Sequence, residues 1–243
     1  MDRADLTNNL LCALDARTYG RIEAHLTHAE FERGELFHEP HQPVDRIYFP
    51  HSGVISLLTV MADGSAIETS TVGRESAVGL TAALTRVESF SRAIGQAPGV
   101  VSSIEAERLR DVAHTDARLR DAIVRHTDAL LALAQQSVAC NALHDVEERF
   151  CRWLLTCLDR TNSSELQLTQ EFLAMMLGVQ RTTVTQVAGM LQAAGLIRYQ
   201  RGRMEVLDRA GLERRSCECY PVVRRHFDVV IPAPAKDGPC VPS

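Results

Sequence analysis

Arg181, Thr182, Thr185 and Gln186 recur at spacings that bring them to one face of a helix, while Val184, Val187, Met190 and Leu191 fall on the other. The four polar side chains can all hydrogen-bond, and none is acidic. Such a face suits the edges of DNA bases, where a bidentate arginine reads guanine and amide or hydroxyl groups read their neighbours. Between residues 178 and 203 there are four basic residues, Arg181, Arg198, Arg201 and Arg203, and no acidic ones, although the whole chain carries a net charge of −5. An acidic protein that keeps one strip basic offers that strip to phosphates.

The elements that must hold this face are legible on both sides of it. The Thr169 hydroxyl can cap a first helix, in which Phe172, Leu173, Met176 and Leu177 form an apolar face. Gly178 tolerates positive φ and lets the chain turn before a second helix over 180–194, with Gln180, Arg181, Thr182 and Thr183 at its start. Gly195 ends that helix. Two short strand-like runs, 196–200 and 204–207, then flank Arg201-Gly202-Arg203, which reads as a tight hairpin. Helix, turn, helix and hairpin make a winged helix-turn-helix, whose second helix enters the major groove.

This segment resembles the DNA-binding domain of the Crp/Fnr family of bacterial transcription regulators. In that family the second helix begins with a small polar residue followed by Arg, Glu, Thr and Val, with another Arg two places after the Val. Arg181 matches the first arginine, whereas Thr182 replaces the Glu and Gln186 the second Arg, so the family's usual target sequence does not carry over. The resemblance extends over roughly residues 6–207. It implies a dimer that binds double-stranded DNA, and contact with RNA polymerase if the protein activates transcription.

The 243 residues, 45% hydrophobic and 23% charged, suffice for one large or two ordinary domains. No apolar run is long enough for a membrane span, and the N-terminus lacks the apolar core of a signal peptide, so the expected location is the cytoplasm. Seven scattered cysteines without a Cys-x-x-Cys pair suggest buried thiols rather than a disulfide framework or a zinc finger. No set of residues converges on catalysis, no cofactor is implied, and the expectation is a protein that is not an enzyme.

Residues 6–26 read as one or two short helices. From 31 to 104, short apolar or alternating runs at 46–49, 54–60, 66–72 and 99–104 are separated by Gly, Pro and Asp-Gly signals, and Asp63-Gly64 suits a type I′ hairpin turn. Many short strands predict a double-sheet roll. The order of its turns resembles the cyclic-nucleotide-binding β-roll of the same family. There a Gly-Glu-Leu segment and an Arg-Ser pair hold the nucleotide's ribose and phosphate. The matching segments here are Ala77-Val78-Gly79 and Ser91-Arg92-Ala93, a degenerate pocket: valine replaces the glutamate, and Arg92 lies one place late, which on a strand turns it to the opposite face. DNA binding independent of cyclic AMP and cyclic GMP is therefore expected.

In 117–144, Leu119, Ile123, His126, Leu130, Leu133, Ser137, Cys140 and His144 alternate in steps of four and three, the heptad spacing of a dimer seam. A second apolar set, Ala122, Leu131, Ala134 and Val138, would face the roll. Asp145 with Glu148 can cap the following helix, whose core face carries Phe150, Trp153, Leu154, Cys157 and Leu158. Asp208 can cap a last helix that Pro221 kinks or restarts.

The expected protein is thus of the α+β class. Residues 1–116 form an N-terminal antiparallel double-sheet β-roll for regulation, 117–143 a long dimerisation helix, 144–228 a C-terminal winged helix-turn-helix, and 229–243 a disordered tail. Two alternatives stay open: sensing of metal or redox state, through the roll histidines His25, His28, His38, His41 and His51 or through Cys140, Cys151 or Cys157, and a metal-dependent enzyme built on the roll. No metal ligands are singled out.

Overall fold

The structure, a computed structural model, describes residues 7–161 and 163–232. The tail from 233 onward lies outside these residues, and Val229 and Val230, placed in that tail by sequence, belong instead to the last helix. Helices α1 (Asn9–Cys12) and α2 (Ala16–Glu23) open the chain, capped by the side chains of Asn8 and Asp15. The Asn8 amide also donates to the carbonyls of Pro50 and Ser76, at 2.8 and 2.9 Å, and so ties this arm to the strands that follow.

Those strands are β1 (Thr27–Phe31), β2 (Leu36–His38), β3 (Arg46–Pro50), β4 (Val54–Val60), β5 (Ala66–Val72), β6 (Arg92–Ala97) and β7 (Gly99–Glu105). They form two antiparallel sheets, ordered β1-β7-β3 and β2-β6-β4-β5. Inner faces of both sheets share one core of Phe31, Phe37, Ile55, Val72, Val78, Ala93 and Val101, which is the expected double-sheet roll. One detail differs from expectation. Residues 61–65 join β4 to β5 as a longer loop in which Gly64 alone has positive φ and Asp63 accepts from the Ser65 N–H, so no type I′ turn forms there.

Helix α3 (Ala106–Thr115) is separated by the capping residue Asp116 from α4 (Ala117–Leu143), a 27-residue helix. Apart from Ala122, which packs against the core as expected, its faces are interchanged relative to the sequence reading. Leu119, Ile123, His126, Leu133 and Cys140 are buried within their own chain and Leu130 packs against the same core, whereas Val124, Leu131 and Val138 are 58, 56 and 72% exposed. Both stripes are apolar with near-heptad spacing. Periodicity therefore found two faces but could not say which one the roll takes. His126 does not fix a seam register either: its Nε2 meets Ser76 Oγ at 2.7 Å and accepts from the Ala77 N–H, and burial holds its ring neutral, with a pKa of about 4.

Helix α5 (Val146–Thr161) starts with a reciprocal box, since Asp145 Oδ1 accepts from the Glu148 N–H and Glu148 Oε2 accepts from the Asp145 N–H, at 2.9 and 3.0 Å. Then come β8 (Glu165–Gln167), α6 (Gln170–Leu177), α7 (Arg181–Ala193), β9 (Ile197–Gln200), β10 (Arg203–Val206), α8 (Arg209–Arg215) and α9 (Cys219–Val230). The core of this half centres on Phe150, Leu154, Leu173, Val184, Leu191 and Met204. Helix α9 turns back along α4, with Phe227 joining the core beneath it.

The two halves touch through the outer face of β4 and β5. Leu58 enters the C-terminal core, Trp153 Nε1 donates to Glu68 Oε1 at 2.8 Å, and Ser56 Oγ donates to Glu68 Oε2 at 2.6 Å. Burial pushes the Glu68 carboxyl up to about 7, against the pull of these two hydrogen bonds. A native pKa above the unfolded one means that the folded protein binds a proton which the unfolded chain releases. The contribution of Glu68 to stability is then complete below pH 4.5 and lost as pH rises through 7. Urea unfolding of wild type and Glu68→Gln over this range should show the wild type losing stability relative to the variant. A constant difference, or one of opposite slope, contradicts this placement of the carboxyl.

Candidate DNA-binding surface

Thr169 caps α6 by accepting from the Phe172 N–H at 3.2 Å, and Phe172, Leu173, Met176 and Leu177 are buried. Gly178 ends the helix with φ of 63°, a left-handed conformation that costs a side chain about 1 kcal/mol or more. A methyl there would also sit 2.9 Å from Ile67 Cδ1, so the turn is packed against the roll. Gln180 precedes α7, whose buried stripe is Val184, Val187, Ala188 and Leu191. Met190, expected in that stripe, is 49% exposed, because a step of six from Val184 rotates it off the face that steps of three, four and seven retain.

Arg181, Thr182, Thr185 and Gln186 are all exposed on α7, with Thr183 half-buried beside them. Arg181 Nε donates weakly to Gln170 Oε1 at 3.3 Å, and the Thr185 hydroxyl donates to the Arg181 carbonyl while keeping an acceptor free. Behind them β9 and β10 form the wing, joined by Arg201 and Gly202 with φ of 50° and 77°, the positive values of a type I′ turn. The sequence reading missed β8, which pairs with β10 and widens the wing to three strands, ordered β8-β10-β9. It also missed two acids. Arg198 is paired with Glu205 at 2.6 Å and Arg203 with Glu165 at 2.5 Å, and both carboxylates lie outside the stretch over which charge was counted.

In the roll, Val78 is buried and bonds through its backbone to Tyr48, and Gly79 opens a short 3-10 turn over Leu80–Ala83 with φ of 77°. Val78 shares its core with Phe31, Phe37 and Tyr48, whose rings meet edge to face with centroids 5.4 and 4.9 Å apart. Ser91 lies in the turn before β6, where its carbonyl accepts from Ser89 Oγ. Ala93 faces the apolar interior; Arg92, one place earlier on β6, is held by Glu39 through its Nε, at 2.9 and 3.1 Å from the two carboxylate oxygens. Among the described residues the roll histidines do not gather as a group of three or more metal-ligating side chains, although His28 and His51 lie close together. His38 Nε2 bonds the Arg46 carbonyl and His51 Nε2 bonds Ser102 Oγ, a hydroxyl that also meets His28 Nδ1.

Two family models match the chain, a cyclic nucleotide-binding domain over residues 28–116 and a Crp-like helix-turn-helix domain over 148–215. The chain belongs to the Crp/Fnr family of transcription regulators. It is a DNA-binding regulator of the Crp/Fnr type, similar to the global nitrogen regulators of Synechococcus elongatus and of Nostoc. These are 24 and 23% identical over 195 residues, covering 76% of this chain and 88 and 87% of theirs. Solved structures with the same fold include FixK2 from Bradyrhizobium japonicum, with a TM-score of 0.67 at 15% identity, covering 79% of this chain and 98% of that one. The regulator CLP of Xanthomonas campestris, described as c-di-GMP responsive, gives 0.64 at 21% identity, with 80 and 100% covered. No helix among the described residues of this Crp/Fnr protein is long and apolar enough to cross a membrane.

Cys12, expected as a buried thiol, is instead disulfide-bonded, and the free cysteines among the described residues divide into two kinds. Burial pushes the Cys151 thiol up to about 12 and Cys157 higher still, which keeps both protonated and unreactive near neutral pH. Cys140 instead lies beside Cys217 and Cys219 in a small cluster of its own, and a hydrogen bond from Cys217 lowers its thiol well below the usual range. Sequence singled out Cys140 for the seam and for redox sensing. It gave Cys217 and Cys219 no role.

Proposed function

We propose that this Crp/Fnr regulator is a homodimer that reads pseudo-palindromic DNA with α7 and does so without cyclic AMP or cyclic GMP. The observation that carries the reading is the exposed, acid-free face of Arg181, Thr182, Thr185 and Gln186 on a helix whose opposite face is fixed in a core. Residues 1–116 act as the regulatory domain, α4 as the dimerisation helix, and 144–228 as the DNA-binding domain. The dimer contact runs along Val124, Leu131 and Val138, with Ala134 between them, since a helix stripe so exposed and so apolar is better covered. Two recognition helices then sit about 34 Å apart, one helical turn of DNA. Contact with RNA polymerase follows if the protein activates.

Arg181 makes the chief base contact, with Thr182 and Gln186 beside it. Gln180, Thr183 and the Thr169 turn lie toward the backbone, and Arg201, Arg198 and Arg203 toward phosphate. A bidentate arginine contributes about 1–3 kcal/mol of discrimination, whereas a phosphate contact shifts all sequences alike. Binding-site selection from a random pool should therefore return a two-fold motif for wild type and a flattened one for Arg181→Ala. Arg201→Ala should weaken specific and random DNA by a similar factor. A monomer in sedimentation with equal affinity for a single half-site, or an unchanged motif with Arg181→Ala, contradicts the proposal.

A further inference from the structure

The C-terminal end of α4 and the junction of α8 with α9 bring four donor side chains together. Cys140, His144, Cys217 and Cys219 place their Sγ and ring-nitrogen atoms all within 4.8 Å of one another, the one group of this kind among the described residues. The three sulfurs are buried and His144 is half-buried. Cys140 Sγ and Cys217 Sγ stand 3.6 Å apart, far beyond the S–S bond length of about 2.05 Å. Cys219 Sγ lies 3.5 Å from His144 Nδ1. Around zinc, with Zn–S of about 2.3 Å and Zn–N of about 2.0–2.1 Å, a tetrahedron has sulfur–sulfur edges of about 3.8 Å and sulfur–nitrogen edges of about 3.6 Å. The Cys140–Cys217 and Cys219–His144 separations match such edges, and the remaining ones lie within 4.8 Å.

We propose that Cys140, His144, Cys217 and Cys219 are the ligands of a structural zinc ion. Thiolates with one imidazole form a ligand set that zinc prefers, and four donors this close enclose one ion rather than a cluster of several metals. Four protein ligands leave no open position, so the site is structural and not catalytic. Outer partners are already in place. His144 Nε2 is 3.1 Å from Glu218 Oε2, where a neutral imidazole donates its Nε2–H to the carboxylate and leaves the Nδ1 lone pair for the metal, and Gln136 Nε2 donates to Cys219 Sγ at 3.0 Å. The positive charge of Arg152, which acts on Cys140, offsets the net negative charge that three thiolates leave on a zinc centre. Binding sends the three thiol protons to solvent, and no electron changes hands.

The ion would join residues far apart in sequence. Cys140 and His144 occupy positions i and i+4 at the end of α4, just before the capping Asp145, while Cys217 and Cys219 lie between α8 and the start of α9, late in the winged half. Zinc would thus pin the start of α9 against the end of α4, and hold the DNA-binding half to the helix proposed for dimerisation.

The test uses the full chain, produced in zinc-supplemented medium and purified without chelator. Elemental analysis should give one zinc per chain, released on thiol modification, and exchange with Co(II) should give the visible and thiolate charge-transfer bands of a tetrahedral sulfur-rich site. Cys217→Ser should abolish the stoichiometric zinc. To separate loss of metal from loss of fold, Glu218→Gln provides a second reading: it should keep the wild-type circular dichroism and bind zinc about 10–100-fold more weakly. Substoichiometric metal that zinc cannot restore, a Cys140–Cys217 disulfide in freshly purified protein, or unaltered zinc affinity in both variants would overturn the proposal.

Discussion

Replacing Arg160 by alanine is expected to destabilise the protein by about 3–5 kcal/mol. Arg160 lies near the end of α5 and reaches into the roll, where Nη2 is 2.7 Å from Glu75 Oε1 and Nη1 donates to Thr71 Oγ1. The two side chains of the ion pair are only 7 and 18% exposed. The surrounding chain has formed around them: a methyl added at Gly73 would fall 2.5 Å from Arg160 Cγ. Truncation leaves the Glu75 carboxylate with the Gly73 N–H at 3.1 Å but no countercharge, and an unpaired buried charge costs far more than an intact pair contributes. Urea unfolding measures the loss. Pairing Arg160→Met with Glu75→Gln should recover most of it, since the second change removes the stranded charge. A cost below about 1 kcal/mol, the range of an exposed pair, would mean that this contact is solvated.

Calorimetric titration with cyclic AMP and with cyclic GMP is expected to show no binding in the micromolar range, and DNA affinity should be the same with and without either nucleotide. A cyclic nucleotide brings a phosphate charge and ribose hydroxyls, whose lost hydration a pocket must replace with charge-assisted hydrogen bonds. At the positions that would do so stand Val78, which accepts nothing through its side chain, and Ser91, which carries no charge. Two such bonds, each worth about 1.5–3 kcal/mol, correspond to roughly two to four orders of magnitude in affinity. Arg92 does not substitute, because Glu39 already holds it on the face opposite Ala93. The core that holds Val78 is lined by Phe31, Phe37 and Tyr48, packed edge to face, and so offers no charged partner there. A micromolar dissociation constant together with nucleotide-dependent DNA binding would overturn this reading of the roll.

What sequence made legible followed local rules. The hydroxyl of Thr169, the positive φ of Gly178, the turn at Arg201-Gly202 and the capping box of Asp145 and Glu148 each depend on a few neighbouring residues, and each forms as expected. Strands β4 and β5 were equally visible, because the alternation of their side chains is local. The three-residue strands β2 and β8 are too short to carry a period. In helix α4 two apolar stripes satisfy the same spacing, and only the packing of Leu119, Ile123 and Leu133 against the chain's own core tells them apart. Contacts between distant segments left no trace in sequence. Arg160 meets Glu75 across 85 residues, and Cys140 meets Cys217 across 77. The available signal was the i, i+4 pair Cys140 and His144 together with Cys217-x-Cys219, a pattern that a search for Cys-x-x-Cys passes over.

The paired arginines of the wing bear on how a protein of net charge −5 approaches a polyanion. Glu205 and Glu165 already serve Arg198 and Arg203 as built-in counterions. On the proposed reading, a phosphate that engages either guanidinium displaces a tethered carboxylate and not a mobile anion, and that carboxylate stays nearby to repel the strand. Each fully engaged phosphate contact ordinarily adds about 0.9 to the slope of log affinity against log salt. Arg201, which has no ion-pair partner among the described residues, is the wing residue that would contribute its whole share. The association should then be less steeply dependent on ionic strength than a strip of four free arginines implies, and long-range attraction should do little to hasten encounter. A regulator built this way would find its site more by the fit of Arg181 and its neighbours to bases than by the pull of its charge on any DNA.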